Sequence, residues 1–129
     1  MMASASPRLL VAEDDEFLRE ILQECLEAEG FDVVSAVDGA QALELFLSSG
    51  PYDAVLLDDE MPLLTGRKVL ARLREAGERV AALLLSGSLV LDENERAGLG
   101  VGAVLRKPVS ITELTAAIRR TLANASADA

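Results

Sequence analysis

A chain of 129 residues, half of them apolar, suffices for one compact domain with one core and is too short for two ordinary ones. Its 12 basic and 22 acidic residues give a formal net charge of −10, which repels phosphate backbones and anionic lipid headgroups and argues against direct binding of either. With Cys25 as the one cysteine and no histidine, intrachain disulfides, thiolate zinc sites and histidine catalysis are excluded, while a hard cation held by oxygen ligands stays open.

Phe17, Phe31, Phe46 and Tyr52 are the only aromatic residues, so stacking on nucleobases has few platforms. The opening stretch from Met1 to Pro7 has neither a basic run nor an apolar core. No later segment approaches the roughly 20 apolar residues of a membrane span, so a cytoplasmic protein is expected.

Arg8 to Ala12 is a short apolar run ending abruptly in Glu13-Asp14-Asp15-Glu16, the pattern of a buried strand that delivers carboxylates to its carboxyl end. A helix should follow, with Leu18, Ile21, Leu22, Cys25 and Leu26 inward and Gly30 as its stop. Asp32 to Ala36 is a second strand. Asp38-Gly39-Ala40-Gln41 has the capping-box arrangement and opens a helix carrying Ala42, Leu43, Phe46 and Leu47 inward, ended by Gly50-Pro51. Ala54 to Leu57 is a third buried strand, again finishing in acids, Asp58-Asp59-Glu60, before the loop through Met61-Pro62 to Gly66. A helix through Val69, Leu70 and Leu73 comes next.

Val80 to Leu85 is a fourth apolar run, ending in Ser86-Gly87-Ser88. The stretch from Leu89 to Gly102 holds Gly98, Gly100 and Gly102 and predicts a weak helix at best. A fifth short strand, Ala103 to Leu105, leads into Lys107-Pro108. Ser110-Ile111-Thr112-Glu113 is another capping box, opening a final helix over Leu114, Ala117, Ile118 and Leu122. The expected domain is 8–123, with flexible termini at 1–7 and 124–129.

Five apolar strands alternating with helices imply a parallel sheet covered on both faces, because parallel strands need crossover connections of this length. Ligands of such folds sit beyond the carboxyl ends of the strands, where this sequence places Glu13, Asp14, Asp58, Ser86 and Lys107. Taken singly each has an ordinary explanation, since acids after a strand commonly just open a helix. Together, Glu13, Asp14 and Asp58 would be crowded carboxylates that repel unless compensated. Mg²⁺ is the natural compensator, because it prefers oxygen ligands and needs only one or two carboxylates besides water and a phosphate.

These residues resemble the receiver domains of bacterial two-component response regulators, of the CheY-like kind. The resemblance runs from about Arg8 to Leu122 and rests on Val11-Ala12-Glu13-Asp14-Asp15, Asp58-Asp59-Glu60-Met61-Pro62 with Gly66, Ser86-Gly87, and Lys107-Pro108, in family order. It implies a flavodoxin-like (βα)5 three-layer sandwich with strand order 2-1-3-4-5. It further implies that Asp58 accepts a phosphoryl group from a sensor histidine kinase or a histidine phosphotransfer protein. Asp14 and Asp58 would be side-chain ligands of Mg²⁺, with the backbone carbonyl of Glu60 as a further ligand and Glu13 acting through a metal-bound water. Ser86 and Lys107 would hold the phosphoryl group, and the bond before Pro108 would be cis. By the same resemblance the domain assists only its own phosphorylation and dephosphorylation, and passes the change to a downstream protein, an output domain or a phosphorylation-dependent dimer.

The sequence also departs from the family. Val104 stands three residues before Lys107, where many receivers carry an aromatic switch residue, and Val109 replaces the aromatic often found after the proline. Thr65 stands where many relatives have Asp, and Glu60 and Ser88 occupy positions that tune dephosphorylation in the family. Two rival readings stand beside the receiver. A phosphorylation-independent scaffold is suggested by Val104 and the glycine-rich fourth helix. A phosphatase of the haloacid dehalogenase type shares the residue types, but it wants Asp-x-Asp near the first strand, whereas here the motif is Asp58-x-Glu60 after the third. Flavin binding would rest on the fold alone, which does not specify function.

Overall fold

A computed structural model describes residues 6–88 and 90–127, with the side chains of 126 and 127 outside the description. Strands β1 (Arg8–Ala12), β2 (Asp32–Ala36), β3 (Ala54–Asp58), β4 (Ala81–Ser86) and β5 (Ala103–Arg106) alternate with helices α1 (Glu16–Ala28), α2 (Gly39–Ser49), α3 (Gly66–Glu75), α4 (Glu93–Leu99) and α5 (Ile111–Ala127). All strand pairs are parallel and the sheet order is β2-β1-β3-β4-β5, the flavodoxin-like arrangement.

The strands read as unbroken apolar runs because the period of two feeds two cores. Leu9, Val11, Leu56, Leu83 and Leu85 face α1 and α5, packing with Leu22, Leu26, Leu114 and Ile118. Leu10, Ala12, Val55, Leu57 and Leu84 face the other side, packing with Phe46, Val69, Leu70 and Leu73 of α2 and α3. Pairing sets Ala12 opposite Leu57, and Asp58 opposite Leu85, so β1, β3 and β4 run out at nearly the same level.

Caps define where the helices begin. Asp15, Asp38 and Thr65 each accept a hydrogen bond from a backbone N–H of the first turn, from Leu18, Gln41 and Lys68 respectively. At α2 the box is displaced: the Gln41 side chain accepts from Val37 N at 2.7 Å rather than from Asp38. At α5 it closes both ways, Ser110 Oγ accepting from Glu113 N and Glu113 Oε1 from Ser110 N.

Several expectations need correction. Leu47 is 65% exposed, because α2 packs on β1, β2 and α3 and Leu47 lies on the flank turned away from them. Ile21 is exposed and Cys25 only half-buried, since Leu22 and Leu26 form the inward line of α1. The weak helix expected between Leu89 and Gly102 is present, as the seven-residue α4, which buries no residue. α5 continues through Ala127, past the expected boundary at 123, while residues 1–5, Leu89 and residues 128–129 lie outside the description. No described helix is long and apolar enough to cross a membrane.

Candidate functional site

Because β1 and β3 are adjacent and end level, the residues just beyond their apolar runs meet. Glu13, Asp14 and Asp58 each offer one carboxylate oxygen, and these oxygens lie within 4.8 Å of one another. Asp58 is 1% and Glu13 2% exposed, whereas Asp14 faces solvent. Glu13 Oε2 accepts from Asp15 N at 3.1 Å, and its Oε1 is buried with no hydrogen-bond partner among the described residues. Burial pushes the Glu13 carboxyl up to about 7, the neighbouring Asp58 carboxylate adds to the rise, and the Asp15 N–H and Lys107 ammonium offset part of it.

Lys107 reaches the same place from the end of β5. Its Nζ lies 2.8 Å from Asp58 Oδ1 and 3.7 Å from Glu60 Oε1. The peptide bond between Lys107 and Pro108 is cis, and Lys107 N donates to Ser86 O at 2.9 Å, tying the ends of β4 and β5 together. Burial works against the ammonium, yet the hydrogen bond it donates to Asp58 and the charges of Asp58, Glu13 and Glu60 outweigh it and raise Lys107 above its ordinary value.

Ser86, 2% exposed at the end of β4, donates its hydroxyl hydrogen to Glu60 Oε2, and Gly87 N donates to Glu60 Oε1 at 2.8 Å. Burial disfavours the Glu60 carboxylate, but Ser86, Gly87 and Lys107 together hold it below the ordinary range. Glu60 N donates to Asp58 Oδ1 at 3.0 Å, so its backbone stays beside Asp58 while its side chain crosses to β4.

Spacing drew attention to Glu13, Asp14, Asp58, Ser86 and Lys107, and the fold gathers all five at one edge of the sheet. Three contributors had no such signal. The Glu60 side chain was expected to tune a rate, not to bind Ser86 and Gly87, which lie far along the chain. Arg106 Nη1 donates to Gly87 O at 2.9 Å. The buried Asp59 carboxylate accepts from Arg67 N at 2.9 Å and anchors the start of α3 behind the site. Gly66 permits that close approach, since a Cβ there would lie 2.8 Å from Asp58 O.

The two replaced aromatic positions find places in the packing: Val104 lies half-buried against the α2 and α3 core, and Val109 against the α1 and α5 core. A groove of about 860 Å³ opens at the opposite, amino end of β4 and β5 beside Arg74 and Arg79. Arg74 is occupied there, donating to Leu99 O, Glu78 O and Gly100 O.

A family model described as the response regulator receiver domain matches residues 9–119. Response regulator MprA of Mycobacterium sp. (strain KMS) is 40% identical over 123 residues, covering 94% of this chain and 53% of the relative. Transcriptional regulatory protein PrrA of Mycobacterium tuberculosis is 40% identical over 119 residues, covering 91% of this chain and 50% of the relative. The chain thus spans about half the length of the curated relatives it matches. Among solved structures, the receiver domain of a Francisella response regulator superposes with a TM-score of 0.81 at 32% identity, covering 93% of this chain and 99% of that one. A receiver domain protein of Clostridium thermocellum gives 0.85 at 26% identity, covering 95% and 99%. With the sheet order, the carboxylates at its edge and these matches in agreement, the chain belongs to the receiver domains of two-component response regulators.

Proposed function

We propose that Asp58 is the phosphoacceptor of this receiver and that the chain acts as a switch without turning over a substrate of its own. The observation that carries the reading is a buried carboxylate, 1% exposed, held by one ammonium at 2.8 Å and flanked by two further acids. A carboxylate attacks phosphorus without a general base to take up a proton from the nucleophile. As the Asp58 O–P bond forms, the P–N bond to a phosphohistidine breaks and its electron pair returns to the imidazole. Lys107 neutralises charge beside the new phosphoryl group, and the Ser86 hydroxyl and Gly87 N–H stand at the same edge to hold its oxygens.

The donor set suits Mg²⁺: hard oxygen ligands, a net negative cluster, and a buried Glu13 Oε1 with no hydrogen-bond partner among the described residues. Asp14, Asp58 and the Glu60 carbonyl would hold the ion directly and Glu13 through water, and when bound it would supply charge neutralisation for the transferring phosphoryl group. The phosphodonor would be a sensor histidine kinase or a phosphotransfer protein, and the receiving partner an output domain or a separate protein in the cytoplasm. Intact mass after incubation with acetyl phosphate and Mg²⁺ tests this. Wild type should gain one phosphoryl group and Asp58→Asn none; equal gain in both, or none in wild type with a competent donor, would overturn the assignment.

A further inference from the structure

Donors from two parts of the chain, the adjacent Ser86 and Gly87 and the distant Lys107, converge on the Glu60 carboxylate. The Ser86 hydroxyl binds Oε2, Gly87 N binds Oε1 at 2.8 Å, and Lys107 Nζ lies 3.7 Å from Oε1 while bonded to Asp58 at 2.8 Å. Two of these donors have a single hydrogen each: a serine hydroxyl and a backbone amide can each serve one strong acceptor at a time. A phosphoryl group on Asp58 would bring three acceptor oxygens and more negative charge to the same edge, where Lys107 already bonds Asp58 and where Ser86 ends the neighbouring strand.

We propose that the Glu60 carboxylate is a built-in occupant of the phosphoryl site, holding the Ser86, Gly87 and Lys107 donors in the resting chain and leaving when Asp58 is phosphorylated. The inference rests on Asp58 being the phosphoacceptor. Departure is easy for this side chain, which is 43% exposed and can turn into water, where a carboxylate is well solvated. Its backbone stays in place, because Glu60 N remains bonded to Asp58 Oδ1.

The loop after β4 is meanwhile held from its other side, since Arg106 Nη1 binds the Gly87 carbonyl whose N–H Glu60 takes. Gly87 is therefore tied from two sides, by Glu60 and by Arg106, in a chain whose position 104 is Val and has no ring to turn. Phosphorylation would exchange one of these two ties for the phosphoryl group and expel a carboxylate at the surface between the β3–α3 and β4–α4 loops.

Beryllofluoride, which binds an aspartate carboxylate as a phosphoryl mimic, separates an occupant from a simple structural tie. The full chain with Mg²⁺ is titrated with beryllofluoride while the Gly87 amide is followed by ¹H–¹⁵N NMR, for wild type, Glu60→Gln and Glu60→Ala. Removing a competitor should tighten binding, by about tenfold or more in Glu60→Ala, the equivalent of one charge-assisted hydrogen bond. Glu60→Gln, neutral but able to accept the same bonds, should fall between. It also keeps the side chain's size and so preserves the comparison if the alanine variant does not fold. Binding equal to or weaker than wild type in the folded variants would overturn the proposal while leaving Asp58 as acceptor. Failure of wild type itself to bind would overturn the phosphoacceptor reading and this inference with it.

Discussion

At the β1 and β3 side of the site, Glu13 directly follows β1 and Asp58 ends β3, strands buried from Leu9 to Ala12 and from Ala54 to Asp58, and Gly66 lets α3 press directly against the Asp58 backbone. At the β4 and β5 side, the loop from Ser86 leads to α4, which buries no residue. That helix is held at its start by the reciprocal Asp92 and Glu95 bonds and at its end by the left-handed Gly100 and the guanidinium of Arg74. Burial of hydrocarbon fixes the first region, whereas the second has only the partial burial of Leu91 and Leu99 and a few polar contacts, each contributing about 1 kcal/mol net. Under the function proposed above, the contrast divides the labour: the phosphoacceptor must not move, whereas the region that responds to phosphate must have resting contacts weak enough to be exchanged.

Predictions follow from breaking each side in turn. Lys107→Ala removes the only ammonium bonded to Asp58 among the described residues, and should slow phosphorylation by acetyl phosphate on the order of 100-fold. A loss below tenfold would place the charge stabilisation elsewhere. Gly66→Ala would put a Cβ 2.8 Å from Asp58 O, in the region that cannot yield. It should cost about 2 kcal/mol in denaturant unfolding, and unchanged stability would mean that α3 can back away.

Glu13 gives a pH test of the rigid side. Its carboxyl ionises near 4.5 when unfolded and near 7 when folded without metal, so between those values the folded chain holds a proton that the unfolded chain has lost. This contribution to stability is present at the acid end of the window and is lost as the pH rises through about 7. In EDTA, Glu13→Gln should therefore stabilise the chain at pH 8 by on the order of 1 kcal/mol and flatten the pH dependence. Parallel curves for the two proteins would contradict the burial of an ionising group there. Asp92→Ala should have the smallest effect, below about 1 kcal/mol, because it opens only the α4 cap. Hydrogen exchange should speed up in 93–99 alone; a global loss of protection would show α4 to be part of the core.

β1 and β3 were plain in the sequence because a strand that feeds two cores must be apolar at every position, so the acids that follow it stand out. The caps at Asp38 and Ser110 were plain for a similar reason, being encoded within four residues. The partners of Glu60 were not: Ser86 and Gly87 lie 26 and 27 residues away, and an acid on a loop is ordinarily just solvated. Leu47 was misplaced because helical spacing finds a face but not how much of it the neighbouring elements cover.

Local rules therefore determined which residues end each strand and that Glu13, Asp14, Asp58, Ser86 and Lys107 would share one edge of a parallel sheet. Only the tertiary structure decided how those groups divide their contacts. A hydrogen bond depends on which acceptor lies within about 3 Å of a donor, and that follows from register and loop path rather than from residue type. Glu60, expected from the sequence to offer its backbone carbonyl and to tune dephosphorylation, is consequently the residue whose side chain holds Ser86, Gly87 and part of Lys107's charge in the resting protein.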